Sequence, residues 1–239
     1  MTGPASDAPP PPGESLARLA EHAVQLVRQV AHAGPVRVGL GSGRAAEAFV
    51  RALAGLVGEG VALLGVPTST STATLARTLG IPLAGLGPEP LDLTVDGADE
   101  VDPALDLIKG YGGALLRERI VAAASRRQVI LVTPEKLVPR LGTRGRLPVE
   151  IVPFAHALCA KRLGALGARP RLREAGGQPV VTDNGNWILD CGIEPLADAA
   201  AYERAVRAIP GVVDTGLFLG VADTVVVGET GGVREERRG

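Results

Sequence analysis

Aromatic side chains are scarce: one Trp, two Tyr and three Phe make up 3% of a 239-residue chain. A surface that stacks on nucleic-acid bases needs several rings on one face, so base-stacking recognition is not expected. Net charge is missing too, since 25 Lys and Arg stand against 26 Asp and Glu. That balance leaves no broad field for nucleic acid or an anionic membrane, and any anion must be captured locally. There are only two cysteines, Cys159 and Cys191, far apart and outside any metal or redox spacing; they read as free core thiols of a reducing compartment. No apolar run reaches membrane length. The proline-rich opening MTGPASDAPPPPGES lacks the apolar stretch of a secretory signal. A cytoplasmic protein without nucleic-acid or membrane partners is expected.

What is present is ample apolar content, 46% of residues, with 32 glycines and 19 prolines to turn the chain. The length suits one large or two modest domains. Residues 1–14 hold little to bury and are expected as a disordered tail. From Ser15 the apolar spacing predicts an amphipathic helix closed by Gly34, with His22 and His32 riding on it as structural residues, no acid or cysteine being arranged around them. Apolar, strand-like runs at 36–40, 61–66, 81–83, 93–95 and 128–133 alternate with helix-forming segments, which predicts an α/β fold with a doubly wound, mostly parallel sheet. The character changes near Gly142. A strand at 149–152, a helix at 155–167, a hairpin turning through Asp183-Asn184-Gly185-Asn186, a helix within 195–208 and strands at 212–219 and 224–228 follow. That pattern predicts a second, smaller α+β domain at 145–218, with 15–144 plus 219–239 forming the α/β domain. The closing VREERRG is expected to fray.

Chemistry-bearing residues gather in LDLTVDGADEVDPALDLIKGYGGALLRERI, 91–120. Strand 93–95 runs out into Asp96, Asp99, Glu100 and Asp102, and the C-terminal ends of strands are where open α/β sheets bind ligands. Lys109 precedes a glycine loop of Gly110, Gly112 and Gly113, and the following helical run carries Glu118. Strand end, loop and helix can converge on one small anion, with N–H groups of Gly112 and Gly113 at a helix start suited to phosphate. Blander readings stand beside these: Asp96-Gly97 suits a plain turn, and Glu118 between Arg117 and Arg119 suits a salt-bridged surface. Gly39-Leu40-Gly41-Ser42-Gly43 links a strand to a helix without completing the GxGxxG fingerprint, so a phosphate-cradling turn is favoured over a dinucleotide site. The hydroxyls at 68–72 precede a helix and read first as caps. A magnesium site built from Asp96, Asp99 and Asp102 stays open on composition.

Six ordered blocks, VGLGSG (38–43), TVDGADEVD (94–102), LIKGYGGALLRERI (107–120), LPVEIVP (147–153), TDNGNWILD (182–190) and IPGVVDTGLF (209–218), resemble the type A ribose-5-phosphate isomerase family. The resemblance implies a cofactor-free, metal-free enzyme, commonly a homodimer, that interconverts the phosphosugars ribose 5-phosphate and ribulose 5-phosphate through an enediolate. By position, Glu118 matches the family's catalytic base, Asp96 and Asp99 the acids that hold and polarise the sugar, and Lys109 the lysine beside the substrate. Gly97 and Ala98 fall between the acids. Gly110, Tyr111 and Gly112 match the glycine loop, and Lys136 a further substrate-binding lysine. Ser42-Gly43-Arg44-Ala45 matches the phosphate turn, which in the family usually reads Thr-Gly-Ser-Thr. Here Ala45 lacks a hydroxyl and Arg44 brings a guanidinium, while Tyr111 replaces a usual glycine. The altered turn makes a non-catalytic phosphosugar-binding or sensor protein the alternative; an NAD oxidoreductase is a poor third.

Overall fold

The computed structural model describes residues 12–30 and 34–239. Residues 1–11 of the expected tail, and His32, lie outside the described residues. In chain order the elements are α1 (Pro12–Gln29), β1 (Val36–Leu40), α2 (Arg44–Gly58), β2 (Leu63–Pro67), α3 (Thr70–Thr78), β3 (Leu93–Gly97), β4 (Glu100–Val101), β5 (Leu107–Ile108), α4 (Leu115–Ala123) and β6 (Gln128–Val132). They continue with β7 (Arg146–Ile151), α5 (His156–Ala165), β8 (Arg169–Leu172), β9 (Glu174–Ala175), β10 (Gln178–Pro179), β11 (Trp187–Gly192), α6 (Ala199–Arg207), β12 (Val212–Thr215), β13 (Leu217–Phe218), β14 (Thr224–Glu229) and β15 (Gly232–Arg237). Helix α1 opens at Pro12, earlier than the predicted Ser15; proline is well tolerated in a first turn, where its missing N–H has no intrahelical partner to lose.

The larger sheet runs β15-β14-β6-β3-β1-β2. Every pairing is parallel except the edge pair β14–β15. From β1 the chain steps outward to β2, then returns to the other side of β1 to lay down β3, so the strand order reverses between β1 and β3. A crevice opens at the carboxyl ends of two strands at such a point. Both faces are covered. Val38, Leu40, Val95, Val129 and Leu131 pack in one core with α1 and α2, while Ile130 and Val132 share another with Leu115 of α4 and Phe218. Burial on both faces is why these strands read as continuous apolar runs.

The smaller unit is an antiparallel sheet, β12-β7-β11-β8, with α5 and α6 packed against a core of its own around Leu147, Val149, Leu163, Leu189 and Val206. Three expectations change here. The hairpin through 183–186 is kept only at its turn, where the Thr182 N–H donates to Asn186 O at 2.8 Å and Val181 bridges Trp187 antiparallel; no strand forms over 180–182, and β11 pairs along β7 and β8. The turn is pulled inward instead, with Thr182 Oγ1, Asn184 Nδ2 and Asn186 Nδ2 all donating to one oxygen of buried Glu150, at 2.9, 3.4 and 2.9 Å. The strand expected over 212–219 breaks at Gly216 into β12 and β13. The closing segment does not fray but forms β15, an edge strand whose charged side chains suit an edge. Arg238 beyond it donates to the carbonyls of Ala222 and Leu105 and to Asp106. His22 stays structural yet has an acid partner that its local sequence hides, Glu235 of β15 at 2.6 Å. Among the described residues, no helix is long and apolar enough to cross a membrane.

Candidate active site

A cavity of about 150 Å³ opens at the switch point between β1 and β3. Its wall contains Ser42, Gly43, Arg44, Ala45, Gly97, Ala98, Asp99, Lys109, Gly110, Gly112, Glu118 and Lys136, so twelve of the fourteen residues marked in the sequence meet there. Asp96 and Tyr111 do not line it. Leu16 of α1 and Leu131, Val132 and Thr133 at the end of β6 do, and they carried no motif. The signal available for the last three was their place at the carboxyl end of an inner strand; Leu16 reaches the cavity only through the packing of α1.

The turn after β1 is built around glycine. A side chain on Gly41 would stand 2.2 Å from Asp96 Oδ1 and 2.6 Å from Asp96 Cα, so only glycine lets the two strand ends lie side by side. Gly43, at φ 86°, then turns the chain into α2. Arg44 and Ala45, which open that helix, line the cavity, and the first N–H groups of a helix have no helical acceptors, which suits an anion. Ser42 Oγ joins a cluster of hydroxyls, 2.9 Å from Thr68 Oγ1 and from Ser69 Oγ, while Ser69 caps α3 by accepting the Thr72 N–H. The hydroxyls at 68–72 therefore brace the turn and cap a helix, and none of them lines the cavity. No ion pair holds the side chains of Arg44 or Lys136 among the described residues, and both bring positive charge to the cavity wall, that of Lys136 acting on Asp99.

The acids separate by environment. Asp96, fully buried near the end of β3, accepts the N–H groups of Ser42 and Gly97, at 3.1 and 2.8 Å, and its Oδ2 lies 2.9 Å from Lys109 Nζ. The same ammonium donates to Gly97 O at 2.5 Å and lies 3.3 Å from Glu118 Oε2. Burial alone lowers the Lys109 pKa, but the carboxylates of Asp96 and Glu118 together outweigh it and hold the ammonium above the usual lysine value. Glu118, in the first turn of α4 and 4% exposed, is pushed up to about 8, chiefly by burial; Lys109 opposes the shift and the charge of Asp96 adds to it. The surface salt-bridge reading of Glu118 is thus excluded, because Arg117 and Arg119 turn elsewhere: to Asn184 and Asp183, and to Asp214.

Asp99 is raised by burial and partly held down by the Tyr111 N–H, which donates to its Oδ2 at 2.9 Å, and by Lys109, Lys136 and Arg146. The Tyr111 ring leaves the cavity and lies under the Arg146 guanidinium, 4.5 Å away. The Gly113 N–H, expected to be available to an anion, is taken by Gly110 O at 3.0 Å in a turn. Glu100 braces the loop beyond it, accepting from the Gly142 and Arg144 N–H groups. Asp102 caps its own turn by accepting the Ala104 and Asp106 N–H groups, so the three carboxylates weighed for magnesium are not brought to one place.

This arrangement pairs a carboxylate of raised basicity with a fixed ammonium at one wall of the cavity and offers a cationic anion site at another. A family model, ribose 5-phosphate isomerase A (phosphoriboisomerase A), matches residues 64–232. The ribose-5-phosphate isomerase A of Roseiflexus sp. (strain RS-1) is 50% identical over 222 residues, covering 91% of this chain and 93% of that relative. The protein of that name from Deinococcus radiodurans is 46% identical over 204 residues, covering 84% and 90%. Among solved structures, ribose 5-phosphate isomerase A from Methanocaldococcus jannaschii superposes with a TM-score of 0.87 at 35% identity, over 94% of this chain and 99% of the other. A D-ribose-5-phosphate isomerase in complex with phospho-erythronic acid gives 0.88 at 34% identity, over 95% and 99%.

Proposed function

The chain belongs to the ribose 5-phosphate isomerase A family, and from that membership we propose the residues that carry its reaction: Glu118 as the base that moves the proton, Lys109 and Asp99 as the groups that manage charge and hydroxyl protons, and the 42–45 turn with Lys136 as the phosphate site. The enzyme interconverts ribose 5-phosphate and ribulose 5-phosphate through an enediolate. In the aldose-to-ketose direction the Glu118 carboxylate takes hydrogen from C2 as a proton. The released electron pair forms the C1–C2 double bond, and the carbonyl pair moves onto O1. O1 gains a proton and O2 loses one, which Asp99 exchanges. As the C2 carbonyl forms, the double-bond pair takes the proton at C1 from Glu118, and the carboxylate is restored. Lys109 stabilises the oxygen charge from a fixed position, needing no reorganisation during the step. Asp96, shut behind the cavity wall, serves by holding Lys109 and the Ser42 turn rather than by touching sugar.

The observation that carries this assignment is Glu118 itself: a carboxylate buried in the cavity wall, 3.3 Å from an ammonium, with its basicity raised by lost solvent. A protein that only sensed phosphosugar would have no use for a carboxylate held in that state. Remote binding of the phosphate by Arg44, Lys136 and the start of α2 would position C1 and C2 beside it. Glu118→Gln is expected to lower kcat by about 10²–10⁴-fold while binding phospho-erythronic acid as the unaltered protein does. Turnover within ten-fold of normal in the correctly folded variant would defeat the assignment.

The same proposal includes a homodimer, a cytoplasmic setting and the division into 15–144 plus 219–239 and 145–218. The main core clusters of the two sheets support the division, with Ile108, Val138 and Leu141 of the larger part joining the core of the smaller sheet. For the dimer, support comes from Val152, Phe154 and Leu158, exposed apolar side chains close together in sequence, Phe154 wholly so.

A further inference from the structure

The smaller sheet touches the glycine loop of the cavity through two cations, Arg173 and Arg146. Arg173, just past β8, presents Nε and Nη2 to both oxygens of Asp190 on β11, at 2.9 and 2.6 Å. Its remaining nitrogen, Nη1, donates to two carbonyls of the glycine loop, Gly110 O and Tyr111 O, both at 3.1 Å. Asp190 is fixed in turn by Arg146, whose Nε and Nη2 each lie 2.9 Å from it. Arg146 also covers the Tyr111 ring, and the Tyr111 hydroxyl donates to Arg146 O at 3.1 Å. The Arg173 side chain is only 11% exposed, so these bonds form largely out of solvent.

The carbonyl of Gly110 and the N–H of Tyr111 are opposite ends of one planar peptide unit. Arg173 holds the oxygen end, and Asp99 accepts the hydrogen end at 2.9 Å. A guanidinium on the carbonyl polarises the peptide and strengthens the N–H as a donor. It also opposes rotation of that peptide about its flanking bonds, a motion that would carry the N–H away from Asp99. Gly110 sits at φ 101°, where glycine moves without steric penalty, so the plane needs an outside hold.

We propose that Arg173, seated on Asp190, is a positioning residue for the isomerisation: through the Gly110–Tyr111 peptide it fixes the Asp99 carboxylate against the reacting hydroxyls. The inference rests on the role given above to Asp99. It assigns to the smaller sheet a part in the chemical step, although no residue of that sheet lines the cavity.

The test is a double-mutant cycle on kcat, with Arg173→Gln and Asp99→Asn singly and together. Arg173→Gln is expected to lower kcat roughly ten-fold with KM changed less than about two-fold, because the lost interaction serves the step rather than binding. In the Asp99→Asn background the same change should alter the residual kcat by less than about two-fold, since its target is gone. A purely structural role would cost the same factor in both backgrounds. Arg173→Lys, which keeps the charge but cannot span Asp190 and two carbonyls, should also lower kcat by at least about three-fold, and it decides the matter if the glutamine variant does not fold. Arg169→Gln, at the start of β8 and in an exposed pair with Glu194, should leave kcat unchanged. Normal kcat in folded Arg173→Gln, or in Arg173→Lys where that variant decides, overturns the inference, as do equal losses in both backgrounds. Normal turnover in Asp99→Asn alone overturns the role of Asp99 and the inference with it; an impaired Asp99→Asn with additive effects overturns the inference only.

Discussion

Replacing Glu118 by Gln is expected to make the protein more stable while destroying its activity. The carboxyl is nearly isosteric with the amide, so packing in the wall is kept. What changes is titration. In the unfolded chain Glu118 ionises near its ordinary 4.5, whereas in the folded protein burial pushes it up to about 8. Between those values the folded state holds a proton that the unfolded state has released, so stability is full below 4.5 and falls as pH rises to about 8. At pH 7 the cost is about 3 kcal/mol relative to a residue that never ionises. Gln avoids that cost but gives Lys109 one partner fewer, leaving Asp96 at 2.9 Å as its charge partner in the wall. The net gain should be about 2 kcal/mol, or roughly 4–8 °C in Tm for a chain of this size. Thermal melts of both proteins at pH 5, 7 and 8 check this. The variant's advantage should be small at pH 5 and grow with pH. A variant less stable than the parent at pH 7, or one with the same pH slope, would refute the claim that burial strains this carboxylate.

Arg44→Ala should raise KM for ribose 5-phosphate by about ten-fold or more with kcat little changed, and flatten its dependence on salt, because a guanidinium at the cavity wall with no ion pair among the described residues is free for phosphate; steady-state kinetics at two ionic strengths check this, and an unchanged KM would leave the phosphate to Lys136 and the α2 N-terminus. Arg119→Ala should lower stability by about 2–4 kcal/mol, since Arg119 bonds Asp214 at 2.5 Å and the carbonyls of Thr215 and Leu217, with Asp214 1% exposed. The urea midpoint should fall with no change in slope. Gly41→Ala forces a methyl against Asp96 and should cost about 1–3 kcal/mol. Its activity, assayed well below the melting temperature, should fall further than that instability explains, because Asp96 moves off Lys109.

The candidate site residues were legible because they lie close in sequence on elements with plain signatures. Asp96 and Asp99 leave an apolar strand, Lys109 opens a glycine loop, and Glu118 follows at the start of a helix. Their positions follow from local backbone geometry and from the rule that ligands sit at strand carboxyl ends. The doubly wound sheet was legible for a similar reason, each buried strand being a short apolar run between turn signals. Where local signals misled, a distant side chain decided. Asp183-Asn184-Gly185-Asn186 does turn the chain back on itself, but Glu150, buried in β7, draws Thr182 and both asparagines inward, so the turn has only a bridge before it and β11 pairs with β7 and β8. The closing VREERRG looks like a solvated tail until β14 supplies a partner along its length.

The supports of the site escaped for the same reason, and their placement implies a division of labour. Arg117 and Arg119 flank Glu118, and each leaves α4 for the smaller unit: Arg117 binds Asp183 and Asn184, and Arg119 binds Asp214. Arg173 reaches back from that unit to the loop carrying Lys109 and Tyr111. No sequence period links an arginine at 119 to an aspartate at 214. Yet an α4 held only by the packing of Leu115, Val121 and Ala122 would be free to slide on apolar contacts, which have no direction. Charge-assisted bonds do have direction. Arginines on both sides of Glu118 fix the rotation of α4 about its axis, and with it the direction in which Glu118 points. Substitutions in the smaller sheet should therefore act on turnover through these three arginines, and those that leave all three partners in place should change stability alone.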